Sequence, residues 1–492
     1  MCRIMKIGDL FMKFVLILTF ALSKIPKTEA MKHCIFLLLI LFLTTCEGGD
    51  TSLIRIGIHP SSTHPQYWEY NGKAVLLLGA SDEDNLFQMS GLERQLDRLA
   101  SAGGNYVRNT MSSRDSGNVW AFHLDPVSGS YDLRSWNESY WKRFRNLLEL
   151  SSEREIIVQV EVWATFDFYR ENWDKNPFNP VNNINYSPER TKLPAKVTTH
   201  PTMCDNPFFW SIPSQHNNMP LLEYQQRFVD KLLSISLEYD HVLYCIDNET
   251  SVTSDWGKFW SEYIRKKAAE EKKTVHVTEM WDPWDLDHIS HRESFDHPES
   301  YSFVEISQNN HQRGESQWIN GLRQIEKLKL AGMLRPVNNV KTYGNDKGRH
   351  GGGTHNGIES FVRSSLFGSA AVRFHRPPSG LGLGDTALAV IRGIREATDQ
   401  IDFFNAGPYN ELLGQRAENE AYCRAIPAKD YLVYFPDAGE VSLDVGQPGS
   451  RLKAKRLEIL TGEWTEANVE LLDGVIMLNC PGKHYIYVIQ KP

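Results

Sequence analysis

Asn248 and Glu249 follow an apolar run, His241-Val242-Leu243-Tyr244-Cys245, and then Ile246-Asp247. The run reads as a buried strand, which puts the pair at its C-terminal end. In an eight-stranded α/β barrel that end carries the catalytic groups. A carboxyl group there can exchange a proton with a glycosidic oxygen, and a neighbouring amide can grip a sugar hydroxyl. The plainer use of such a pair is to cap the next helix. The other strand ends decide between these two uses.

Eight apolar runs qualify as strands: residues 75–79, 105–109, 156–162, 242–247, 275–279, 301–306, 336–341 and 370–374. Amphipathic stretches at 92–102, 140–152, 221–239, 256–272, 318–331, 357–367 and 386–404 separate them, and a weak one near 285–295 completes the alternation. Eight strands alternating with helices predict a (β/α)8 TIM barrel over residues 47–405. No glycine-rich phosphate loop follows any of the runs, which weighs against nucleotide binding. A long stretch rich in Asn, Pro and aromatics, 163–220, follows the third strand and is expected to wall the cleft. From 406 to 492 short strands alternate with Gly, Pro and Asp turns, the grammar of a small β-sandwich.

A shared rim would bring together Asp82 from the first strand, Arg108 from the second, Glu161 and Trp163 from the third, and Asn248 and Glu249 from the fourth. Glu279 and Trp281 would come from the fifth, Glu305 from the sixth, Lys341 and Tyr343 from the seventh, and His375 from the eighth. Each residue has a structural use of its own: carboxylates cap helices and Trp fills cores. Together they suit a sugar, because aromatic faces stack on its C–H faces and carboxyl pairs cleave its bonds.

Gly104-Asn105-Tyr106-Val107-Arg108, Asp247-Asn248-Glu249 and Pro336-Val337-Asn338-Asn339-Val340-Lys341 resemble the second, fourth and seventh strands of the clan-A, cellulase-like glycoside hydrolases. Tyr431–Phe435 and the segment 457–464 resemble the small β-domain, labelled collagen-binding, that follows the barrel in an apiosidase-like group of that clan. The resemblance spans residues 53–492. It implies a carbohydrate-active enzyme with Glu249 as general acid/base and Arg108 as the brace of a nucleophile.

The family's nucleophile, a Glu ending the seventh strand, is replaced here by Lys341. A second carboxyl group must then come from elsewhere, Glu305 first by strand order, and Glu279 and Glu161 next. A proton donor at Glu249 should be held in its acid form by burial. The Lys341 ammonium should need a nearby anion: Glu305, Glu279 or an acidic substrate. The expected activity is hydrolysis of O-glycosidic bonds in a plant or algal polysaccharide or its oligosaccharides. Two alternatives stand beside it: a sugar-binding surface protein that has lost the chemistry, and a uronate lyase using Lys341 or Tyr343 as base. No cofactor and no metal are expected.

Residues 1–46 carry the export signal. Met31-Lys32-His33 opens an apolar core, and Leu43-Thr44-Thr45-Cys46 resembles a bacterial lipobox with Cys46 as the lipidated residue. Met31 is the expected start of translation. The mature protein is expected to be a cell-envelope lipoprotein held to the membrane through that lipid. A net charge of −8 without a basic stripe gives no sign of a nucleic-acid partner, and none is expected. Four cysteines follow Cys46, and of these Cys423 and Cys480 could pair.

Overall fold

A computed structural model describes residues 57–348, 352–446 and 452–491. Cys46 and the apolar runs before it lie outside these residues. Eight parallel strands form the central sheet: β1 (Leu77–Ala80), β2 (Tyr106–Thr110), β3 (Ile157–Trp163), β4 (Val242–Asp247), β5 (His276–Thr278), β6 (Val304–Glu305), β7 (Val337–Thr342) and β8 (Ala371–Phe374). They pair in the order β5-β4-β3-β2-β1-β8-β7-β6. Between β5 and β6, Ser302 N donates to Val277 O at 3.0 Å and Thr278 Oγ1 donates to Phe303 O at 2.8 Å. The sheet is a nearly closed (β/α)8 barrel.

The strands are buried along their whole length, as parallel strands under a helical layer must be. The helices turn apolar faces inward. In Leu92–Ser101, for instance, the buried residues are Leu92, Leu96 and Leu99, at helical spacing. Gly79 lets β1 and β2 approach closely, since a Cβ there would lie 2.1 Å from the Tyr106 carbonyl oxygen. The helix Ile289–Phe295 supplies the weak fifth crossover in shortened form.

Two pieces add to the barrel and the sandwich; of these, the sequence offered only a lead-in strand at 54–58. Strands Ile58–Pro60, Trp68–Tyr70 and Lys73–Val75 form an antiparallel sheet before the barrel. From it the buried Trp68 indole donates to Asn338 Oδ1 at 3.0 Å and packs edge-on against Phe303 and His276. Asn338 lies at the start of β7, so this indole closes the N-terminal end of the barrel. The second piece is the hairpin of Phe122–Leu124 and Tyr131–Trp136.

After the barrel, antiparallel sheets of six and four strands form the β-sandwich. The six-stranded sheet is buried on both faces. Tyr422, Leu432, Tyr434 and Ile486 join the barrel's core, while Cys423, Tyr431, Val433 and Ile489 face the second sheet. This follows from the two-residue period of a strand. Arg424 crosses the seam, donating to the carbonyl oxygens of Leu366 (3.0 Å) and Phe403 (3.1 Å) and to the Tyr67 hydroxyl (2.7 Å). Cys423 and Cys480 are free buried thiols, so the pairing allowed by the sequence is not made.

Candidate active site

Arg108, inside β2, is the centre of the rim. Its Nη2 donates to Glu161 Oε2 at 2.7 Å and to Asn248 Oδ1 at 2.8 Å, its Nη1 to Asp84 Oδ1 at 2.6 Å, and its Nε to Glu161 Oε1. The guanidinium is fully buried, and its fork is satisfied by groups from the ends of β1, β3 and β4. Asp84 also takes Arg376 Nε at 2.7 Å, and His375 Nδ1 lies 3.8 Å from it. Burial alone would raise the Asp84 carboxyl, but the cations Arg108, Arg376 and Arg373 hold it well below its ordinary range. His375 is driven the other way. Burial, reinforced by the cations Arg373, Arg108 and Lys341, keeps the imidazole neutral against the pull of Asp84.

Lys341 sits where the pairing of β7 with β8 shifts register, between Asn339 and Thr342. Such an irregularity re-aims a side chain. Its Nζ donates to Asn248 Oδ1 at 2.7 Å and lies 2.9 Å from Glu249 Oε1. Asn248 therefore spends its carbonyl oxygen on Arg108 and Lys341, and its amide NH2 is the end left to donate to a ligand. The Tyr343 hydroxyl bonds to Glu249 as well, and its ring stands edge-on to His375 with centroids 4.9 Å apart.

Two expectations about this group are corrected. The anion beside Lys341 is Glu249 itself, neither Glu305 nor Glu279. The Glu249 carboxyl is not held in its acid form: burial raises its pKa, but the ammonium of Lys341 and the guanidinium of Arg108 outweigh burial and leave it below the ordinary 4.5. Glu249 also has a left-handed backbone, φ 54°, which costs a non-glycine residue about 1–2 kcal/mol. Its side chain is 18% exposed, against 3% for Lys341, so the carboxylate is the part of the pair open to a ligand.

The other expected site residues divide. Glu161 is buried behind Arg108 and positions it. Glu305 is 1% exposed and accepts from Ser307 N at 2.8 Å and from the Ser307 hydroxyl, while its Oε2 has no partner. Burial pushes its carboxyl up to about 7. Glu279 is directed at the helix Ser254–Glu270, where a Cβ on Gly257 would come within 2.9 Å of its Oε2. It lies hydrogen-bonded to Asp247, away from the Lys341 group. Trp163 is core: its ring packs edge-on against Phe208 and Trp260 and near Phe228, where the platform for a sugar was expected. Trp281 is equally buried and donates to Ser294 Oγ at 3.3 Å. Asp82 ties Gln95 Nε2 (3.0 Å) to the Leu383 amide (2.7 Å) and serves the loop after β8.

Asp84 and Arg376 stand at the ends of the first and eighth strands, where the sequence put them without giving them a role, and Asp282 was missed. Asp84 lies two residues from Asp82 in one acidic stretch, and only the turn of the chain after β1 selects between them. Asp282 follows β5. Its amide donates to Thr250 O at 2.8 Å and the Thr250 amide to Met280 O at 2.9 Å, which locks it beside the residue after Glu249. Burial raises the Asp282 carboxyl, and the charge of Glu249 raises it further against Lys341 and His200. Thr202, from the segment after β3, bonds to it. That segment therefore reaches the rim, while Phe168, Trp173, Phe208 and Phe209 pack on one another and join the barrel's core through Trp163.

The arrangement defines a barrel with a charged, hydrogen-bonded rim and two carboxyl groups of opposite tendency, near enough for the charge of Glu249 to raise Asp282. Among solved structures, the chain is similar to one described as a glycoside hydrolase, with TM-score 0.59 and 12% identity over 89% of this chain and 97% of that one. It is also similar to a glycoside hydrolase family 5 protein from Bacteroides vulgatus ATCC 8482, with TM-score 0.58 and 13% identity over 88% and 93% of the two chains. At such identities the likeness extends to the barrel and the β-sandwich together as a fold. No family model and no curated protein matches the chain.

Proposed function

We propose that the protein is a carbohydrate-active glycoside hydrolase whose reactive carboxylate is Glu249. The observation that carries this reading is the Glu249 side chain itself. It is held at the end of β4 between the Lys341 ammonium and the Tyr343 hydroxyl, ionised and partly open to solvent. An ionised carboxylate is unsuited to giving a proton and suited to taking one or attacking an anomeric carbon. Asp282, pushed toward its acid form beside it, is then the donor to the leaving oxygen. Two carboxyl groups driven apart by their surroundings are what acid/base glycoside cleavage requires. The lyase reading loses support, because Lys341 is ion-paired with Glu249 and burial moves the Tyr343 hydroxyl well above its ordinary range, away from the role of base.

The test is hydrolysis of a panel of plant and algal polysaccharides and aryl glycosides. Glu249→Gln should lose about 10²–10⁴ in kcat, and Asp282→Asn should lose most on substrates with poor leaving groups. The anomeric form of the first product, read by NMR, tells whether Glu249 attacks carbon directly or through water. Sugar binding without turnover in the wild type would favour the non-catalytic alternative, which rests on Lys341 standing where the clan-A resemblance calls for a carboxylate. The polymer substrate, export and lipidation of Cys46 belong to the same proposal. Loss of membrane partition on Cys46→Ser is the expected result for the anchor.

A further inference from the structure

A second cluster of charged side chains lies at the seam between barrel and sandwich, built from residues that the glycosidase reading does not use. His355 and Glu359 stand four residues apart on the helix Thr354–Phe367 and so share one face of it. Asp437 comes from the turn between strands Asp430–Phe435 and Gly439–Asp444. His355 Nε2 is 3.0 Å from Glu359 Oε1 and 3.3 Å from Asp437 Oδ2. All three ligand atoms lie within 4.8 Å of one another.

We propose that His355, Glu359 and Asp437 bind a divalent transition-metal ion of the zinc type and so clamp the barrel helix to the sandwich. Tetrahedral bonds of ~2.1 Å separate ligand atoms by about 3.4 Å, close to the spacing found here. Two carboxylates and a neutral imidazole balance a dication. The surroundings hold the ligands in place, as the outer partners of a metal site do. His355 Nδ1 is 3.0 Å from His484 Nε2, and His484 Nδ1 is 3.0 Å from the Tyr434 hydroxyl. Protons running outward along this chain leave the Nε2 lone pair of His355 free for the ion. Arg363 Nη1 donates to the second oxygen of Glu359 at 3.0 Å. Lys483, 3.6 Å from Asp437 Oδ1, is exposed and able to swing away. An imidazole ligand selects zinc-like ions over calcium or magnesium, which prefer oxygen alone. Asp437 is half exposed, so the remaining coordination position faces water.

The whole chain, stripped with chelator, is titrated with zinc chloride and separately with calcium chloride, following bound metal and Tm. One retained zinc per chain and a zinc-specific rise in Tm are expected. Asp437→Asn and His355→Gln should each weaken zinc binding by at least about 10–100-fold, and Asp437→Asn should keep the metal-free Tm of the wild type. Asp437 is exposed enough that its substitution leaves folding intact. Zinc retained equally by both variants would overturn the proposal, as would a wild-type Tm that calcium raises as much as zinc does.

Discussion

The Lys341 ammonium lies 2.9 Å from the Glu249 carboxylate, and the two side chains are counter-charges at the mouth of the barrel. Lys341 arrives from a register shift in β7 and Glu249 from a left-handed residue after β4. The pair thus joins two irregular strand ends from opposite sides of the barrel. It keeps Glu249 ionised and occupies Asn248 at the same time.

Lys341→Met should destabilise the protein by about 3–5 kcal/mol near neutral pH, because it leaves Glu249 without its counter-charge in a largely buried place. The double variant Lys341→Met/Glu249→Gln should cost less than the sum of the two single changes, as urea unfolding would measure. The pH dependence has a fixed sign. A carboxyl held below 4.5 in the folded state contributes stability that is present above pH 4.5 and lost as pH falls through the folded value. The stability gap between wild type and Lys341→Met should therefore shrink at pH 3. A gap independent of pH would contradict the ion pair.

The backbone of Glu249 permits a cleaner comparison. Glu249→Ala and Glu249→Gly both remove the carboxylate and strand Lys341 equally. With φ at 54°, the Gly variant should be the more stable of the two by about 1 kcal/mol, the reverse of the usual order. Thermal unfolding of the two proteins side by side decides it.

Glu305 should weaken the fold as pH rises. Burial lifts its carboxyl to about 7 in the folded protein, against an ordinary 4.5. Its contribution is therefore full below about pH 4.5 and is lost as pH climbs through 7. Glu305→Gln mimics the protonated side chain and should remove this loss, so that the variant gains on the wild type between pH 5 and pH 8. Equal pH profiles for the two would show that Glu305 does not titrate there.

Arg424→Leu should cost at least 3 kcal/mol, on the order expected when a buried charge's hydrogen bonds are removed and carbonyls are left unpaired. Arg424 serves Leu366 from the barrel and Phe403 from the connection at once, and its guanidinium lies 4.3 Å from the centroid of the Phe403 ring. Limited proteolysis should then cut near the connection, around residues 403–410, before it cuts the barrel.

The barrel was legible in the sequence because a parallel strand covered on both faces must be an unbroken apolar run, and eight such runs alternate with amphipathic helices. The sandwich was legible for the related reason that short strands need turn residues between them. That the unbroken apolar run 431–435 serves two cores, one on each face, is shown only by the folded structure. That Glu249, Asn248, Arg108 and Lys341 share one rim was legible because strand ends are countable along a chain. What tertiary structure alone decided is direction. Trp163 and Trp281 occupy strand-end positions just as Asn248 does, yet neighbouring aromatic side chains and helices absorb them. Glu279 turns to the space left by Gly257, while Lys341 is brought to Glu249 by a register shift that no spacing announces. Charges act through distance and burial, and both depend on which segments the fold brings together. The partner of Lys341, the ionisation of Glu249 and the place of Asp282 beside it could therefore be read only after folding.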